Sequence, residues 1–105
     1  MMNRVIAVDF DGCLCTSRWP MIGAANHGAI SALIRLRAQG TNLILWTCRT
    51  GALLDEAVAW CGRRGLAFDA VNEGLPDQVV RYGGDTRKVH ADEYWDDRAV
   101  TVICE

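Results

Sequence analysis

The chain has 105 residues with 50% apolar and 23% charged content, which predicts one domain over residues 1–105 built around a single core. Its net charge of −2 excludes a bulk electrostatic drive toward nucleic acid or an anionic membrane. No apolar run approaches the roughly 20 residues of a membrane span, and carboxylates arrive at Asp9 and Asp11, too early for an export signal. A cytoplasmic location is therefore expected. The charge is unevenly spread. Residues 1–65 hold seven Arg and four acids, whereas residues 66–105 hold four bases and nine acids. Asp92, Glu93, Asp96 and Asp97 cluster near the end, and like charges so close need solvent or a bound cation.

In chain order, residues 4–8 (RVIAV) form a short β-branched run that ends in the acidic Asp9-Phe10-Asp11-Gly12, predicting a buried strand and then a turn. Ile30, Leu33, Ile34 and Arg37 keep helical spacing up to Gly40. Residues 42–46 (NLILW) predict a second strand, followed by polar Thr47-Cys48-Arg49. Leu53, Leu54, Ala57, Val58 and Cys61 keep helical spacing up to Gly65. Residues 68–71 predict a third strand, and residues 72–87 read as loop with a single helical turn. Residues 89–95 are weakly strand-like, and residues 100–104 (VTVIC) suggest one more short strand. Alternating strands and helices predict an α/β fold: a Rossmann-like, mainly parallel sheet flanked by helices. Such sheets bind ligands at the carboxyl ends of their strands. Asp9 and Asp11, then Thr47, then Asp96 and Asp97 follow successive apolar runs and converge on that edge.

Five cysteines, an odd number, do not predict a disulfide framework. Cys13 and Cys15, with His27 and His90 far away, lack zinc-site spacing. Neither Cys13 nor Cys48 is followed six places later by the Arg of a thiol phosphatase loop; Trp19 and Leu54 stand there. The cysteines are expected to be mostly buried small hydrophobes, Trp46 and Trp60 core residues, and His27 and His90 surface or packing residues.

The carboxylates Asp9, Asp11, Asp96 and Asp97 suit a hard octahedral cation, best Mg2+, which would also polarise a phosphate. Thr47 and the backbone N–H groups after it open a helix and make a ready anion site. Lys88, the only lysine, adds a positive charge. Each part alone is ordinary: two neighbouring acids, a turn threonine, a surface lysine. In this order, each after a strand, they form a set suited to phosphoryl transfer.

The set resembles the haloacid-dehalogenase superfamily of Mg2+-dependent phosphatases. The motifs are Asp9-Phe10-Asp11-Gly12-Cys13, Thr47 closing LILWT, Lys88, and Asp96-Asp97 in YWDDR. The likeness is nearest to its small members without a cap domain and spans residues 4–98. It implies Asp9 as the nucleophile that forms an aspartyl-phosphate, and Asp11 as acid and then base, its backbone carbonyl also facing the metal. It implies a turn at Gly12, phosphate held by Thr47, the Cys48 N–H and Lys88, with Lys88 a catalytic residue that also pairs with Asp9, and a metal held by Asp9, Asp11, Asp96 and Asp97. Arg49 and Arg98 would flank the site, each in substrate binding or an ion pair. Residues 13–25 would form a flap whose Arg18, Trp19 and Met21 touch substrate, or whose Trp19 instead packs on the flap or a neighbouring subunit. Cys13 departs from the usual Thr or Val, and only seven residues separate Lys88 from Asp96, so that Lys88 would reach the site from a loop or Arg87 would take its part. An open, capless site implies a homo-oligomer or a bulky substrate. Nucleotides, sugar phosphates and phosphoproteins all fit the motifs. Two alternatives stand beside the phosphatase: a catalytically weak metal- or phosphate-binding module of the same fold, and zinc or redox chemistry at the cysteines.

Overall fold

The computed structural model describes residues 3–100 and 102–103. In chain order the elements are β1 (Val5–Val8), β2 (Cys15–Arg18), β3 (Met21–Ala25), α1 (His27–Ala38), β4 (Asn42–Leu45), α2 (Gly51–Arg63), β5 (Ala70–Val71), α3 (Pro76–Arg81) and β6 (Glu93–Trp95). β1, β4, β5 and β6 form one four-stranded sheet in the order β5-β4-β1-β6, every neighbour parallel. β2 and β3 form a separate antiparallel hairpin. The protein is thus α/β, with a parallel sheet flanked by helices.

The sheet's two faces explain why its strands read as unbroken apolar runs. Alternate residues of a strand point to opposite faces, and here both faces are covered. Ile6 and Val8 of β1 and Leu43 and Leu45 of β4 pack with Ile30 and Leu33 of α1 and with Ala57, Trp60 and Cys61 of α2. Val5, Ala7 and Ile44 face the other way, against Ala70, Leu75 and Val89. All four residues of β1 are buried, as strands enclosed on both faces require. Phe10, also buried, meets Trp60 edge to face with ring centroids 5.4 Å apart. α1 begins at Asn26, whose Oδ1 accepts the Ala29 N–H and whose side-chain amide donates to Cys13 O, tying the helix start to the turn after β1.

Some expectations shift. Residues 89–95 contribute a strand only at 93–95, because Val89 is spent on the second core cluster. Val100, Val102 and Ile103 lie outside any strand and are exposed, so the expected strand over 100–104 does not form among the described residues; Thr101 and Cys104 lie outside them. Cys15 and Cys61 are buried and Cys13 is partly buried, but Cys48 is exposed, since it sits on the loop after β4 rather than on a core-facing position. Trp60 is core, whereas Trp46 is half-buried at the end of β4. No described helix is long and apolar enough to cross a membrane.

Candidate active site

β1, β4 and β6 run parallel and end side by side, in register from Val8 to Leu45 and from Val8 to Trp95. Backbone bonds carry the alignment one residue further: the Asp9 N–H donates to Trp95 O, and the Trp46 N–H donates to Val8 O. The polar residues after each strand therefore arrive together. A cavity of about 310 Å³ opens there, lined by Asp9, Asp11, Thr47, Cys48, Asp96 and Asp97, with Ser17, Trp19 and Arg98 at its rim.

Asp9, Asp96 and Asp97 each bring a carboxylate oxygen within 4.8 Å of the others. Burial pushes the Asp9 carboxyl above its ordinary value, and the charges of Asp96, Asp97 and Asp11 push the same way; the Phe10 N–H, donating to Asp9 Oδ1 at 2.8 Å, opposes them. Three hard oxygen donors that repel one another fit a hard divalent cation such as Mg2+, which would remove the repulsion. Gly12 makes the close approach possible. Its φ is +84°, and a Cβ there would lie 2.4 Å from Asp97 Oδ2.

Asp11 has a different environment. Both its oxygens accept from Arg49, from Nε at 2.9 Å and from Nη2 at 2.8 Å, in a bidentate pair. Arg49 is fully buried and also donates to Pro20 O and Met21 O of the hairpin at 3.2 Å each. Of the two roles expected for Arg49 the structure shows the ion pair, and Asp11's carboxylate is not among the clustered metal-type ligands. On the other side of the cavity, Thr47 Oγ1 accepts the Arg49 N–H at 3.2 Å. The Thr47 N–H donates to Asn72 Oδ1 at 2.8 Å, and the Asn72 amide donates to Arg49 O at 3.3 Å. Asn72, in the left-handed region at φ 54°, shapes this loop, and the sequence reading passed over it; an Asn directly after a strand, tolerant of that conformation, is the available signal. The Cys48 N–H has no partner among the described residues and lies at the cavity.

Lys88 is not brought to this cavity. It lines a neighbouring one that shares Asp9 and Asp96, and its ammonium sits 5.4 Å from the centroid of the Tyr94 ring. It forms no ion pair with Asp9 among the described residues, in keeping with the short spacing between Lys88 and Asp96. Arg98 reaches the rim, where its N–H donates to Asp96 Oδ1 at 2.9 Å. Arg18 and Met21 are exposed on the hairpin. His27 is exposed, and His90 is half-buried against Tyr82. Among the described residues no thiol takes part in the acidic cluster, and burial with the nearby Asp9 charge pushes Cys13 up to about 11.

No family model matches the chain, and no curated protein matches it. Among solved structures, a conserved protein from Bacteroides thetaiotaomicron superposes with a TM-score of 0.84 and 42% sequence identity, over 99% of this chain and 84% of that one. At that identity and coverage, the chain belongs to the same family as the Bacteroides protein.

Proposed function

We propose that the protein is a Mg2+-dependent phosphatase of the haloacid-dehalogenase type, without a cap domain, that cleaves small phosphate monoesters through an aspartyl-phosphate. The observation that carries this reading is the meeting of Asp9, Asp96 and Asp97 at the carboxyl ends of adjacent parallel strands, in one cavity with Asp11, Thr47 and the Cys48 N–H. Bound Mg2+, held by Asp9, Asp96, Asp97 and the Asp11 backbone carbonyl, would supply charge neutralisation at the phosphoryl oxygens. Thr47 Oγ1 and the Cys48 N–H hold the phosphate so that an Asp9 oxygen faces phosphorus. Asp9 attacks, the bond from phosphorus to the ester oxygen breaks, and Asp11, which must first turn out of its pair with Arg49 and take a proton from solvent, gives that oxygen the proton. Water then attacks phosphorus, its proton passes to Asp11, and the Asp9 carboxylate is released. Such a protein works in the cytoplasm, and its open site admits a neighbouring subunit.

A second reading, a metal- or phosphate-binding module with little turnover, is favoured by one observation: Lys88 does not pair with Asp9. Hydrolysis of p-nitrophenyl phosphate separates the two. The phosphatase reading expects activity that needs Mg2+, is abolished by EDTA, and falls to background in Asp9→Asn. Mg2+ binding by calorimetry without any Asp9-dependent hydrolysis selects the binding module. Neither binding nor hydrolysis overturns both.

A further inference from the structure

The rim of the cavity carries a large aromatic surface. Trp19, at the turn between β2 and β3, is 56% exposed and lines the cavity with Asp9, Thr47 and Asp97. A solitary exposed tryptophan is unremarkable in itself. This one is held in place from beneath. The guanidinium of Arg49 lies 5.1 Å from its ring centroid, while the same group donates to Pro20 O and Met21 O, the two carbonyls that follow Trp19 in the chain. Arg49 is fully buried and fixed at its other end by two bonds to Asp11 and by the Thr47 loop. One rigid fork thus registers the indole against the acidic end of the cavity. An aromatic surface whose ordering is already complete loses little entropy when a flat partner lands on it.

We propose that the substrate is a phosphate monoester bearing a planar aromatic group, of which a nucleoside monophosphate is the fitting class. The aromatic group stacks on Trp19 while the phosphate lies among Asp9, Thr47 and the Cys48 N–H. Trp19 is the specificity-determining residue, and Arg49 is the positioning residue that keeps the indole at the rim. A cavity of about 310 Å³ lies within the size range of small-ligand sites. The phosphate end of this proposal rests on the phosphatase reading; the stacking end does not need turnover to be seen.

The test is equilibrium binding to the full chain carrying Asp9→Asn, with Mg2+ present. Adenosine 5′-monophosphate, ribose 5-phosphate and inorganic phosphate serve as probes. The nucleotide is expected to bind on the order of tenfold more tightly than ribose 5-phosphate, the size of one base–indole stack. Trp19→Ala is expected to erase that preference, Trp19→Phe to keep most of it, and neither to move the affinity for inorganic phosphate. Arg49→Lys, which keeps the charge but loses the fork, is expected to reduce the preference without removing it. Equal affinities for the two phosphates overturn the proposal. So does a Trp19→Ala variant that weakens all three ligands alike, or one that changes self-association and leaves ligand preference intact. Failure of the phosphatase reading is recorded separately, as absent Asp9-dependent hydrolysis of p-nitrophenyl phosphate by the chain with Asp9 in place.

Discussion

The two edges of the parallel sheet treat the same residue types in opposite ways. At the amino ends of the strands, every acid near the backbone is satisfied. Asp92 Oδ2 accepts the Val5 N–H at 2.7 Å, Asp69 Oδ2 accepts the Leu43 N–H at 2.8 Å and pairs with Arg37, and Glu93 pairs with Arg4 and accepts from the Trp95 indole. At the carboxyl ends, Asp9, Asp96 and Asp97 face one another, and their mutual repulsion is left standing. An acid that closes off a strand's first N–H contributes to the fold. Acids gathered without a cation oppose the fold, a cost that the proposed metal would relieve. The terminal acidic cluster that looks uniform in the sequence therefore divides in two: Asp92 and Glu93 bond to other parts of the fold, and Asp96 and Asp97 line the cavity with Asp9.

Asp11 is the exception at the carboxyl edge, because it has its own cation. Arg49→Ala breaks that exception and carries the largest expected effect. It leaves a partly buried carboxylate unpaired, frees the Pro20 and Met21 carbonyls, and adds Asp11 to the unrelieved cluster. Removing one partner of a buried pair costs about 3–5 kcal/mol, and Asp11 keeps some solvent, so the lower end of that range is expected in urea unfolding. Adding Asp11→Asn to the Arg49→Ala chain is expected to recover part of the loss. If Arg49→Ala costs less than about 1 kcal/mol, the pair is no more than a surface contact and the hairpin is not anchored through it.

A smaller effect separates strain in the backbone from damage to the carboxyl edge. Gly12 and Gly40 both have positive φ, +84° and +103°. A Cβ at Gly12 meets Asp97 Oδ2 at 2.4 Å, whereas a Cβ at Gly40 meets nothing within 4 Å. Alanine at either position is expected to cost about 1–3 kcal/mol of stability from the backbone alone. Only Gly12→Ala displaces Asp97, so only it is expected to weaken Mg2+ binding, by about tenfold in calorimetry. Equal Mg2+ affinity in the two variants would show that Asp97 is not a ligand.

The sheet was legible because β1 and β4 are buried on both faces and so appear as continuous apolar runs, and the helices because α1 and α2 show one periodic face each. The converging acids were legible because strand ends in a parallel sheet share an edge. Other features have no local signature. The hairpin of β2 and β3 is mostly exposed, with no apolar alternation to reveal it, and it is tethered by an arginine from a distant loop. Arg49 follows a strand in a polar stretch, where an arginine is expected to meet solvent or substrate. Its complete burial arises from three segments closing around it. Asn72 acts through two side-chain bonds and Asp92 through one, all to backbone far away in sequence, and such bonds leave no periodicity. β6 spans three residues, two of them exposed, which is below what hydrophobic pattern detects.

The finest distinction between the edges lies in the sign of their pH dependence. Asp9 titrates above its ordinary value in the folded chain, chiefly through burial, so its ionisation disfavours the fold. Its contribution to stability is fully present below the unfolded value of 3.8 and is lost as pH rises through the raised folded value. Glu93 titrates below its ordinary value, through the Trp95 indole and Arg4, so its contribution is present above the unfolded value of 4.5 and is lost as pH falls through the lowered one. Neutral replacements should therefore diverge. In EDTA, Asp9→Asn is expected to raise stability relative to the unaltered chain at pH 7, with the gain shrinking as pH falls toward about 4. Glu93→Gln is expected to lower stability at pH 7, and by less than about 1 kcal/mol, since the pair is exposed. Millimolar Mg2+ should reverse the order at the carboxyl edge alone: the unaltered chain gains stability by binding, Asp9→Asn gains less, and Glu93→Gln gains as much as the unaltered chain. Should Asp9→Asn destabilise the EDTA-treated chain at pH 7, the repulsion among Asp9, Asp96 and Asp97 is already relieved within the fold, and the two edges are electrostatically alike.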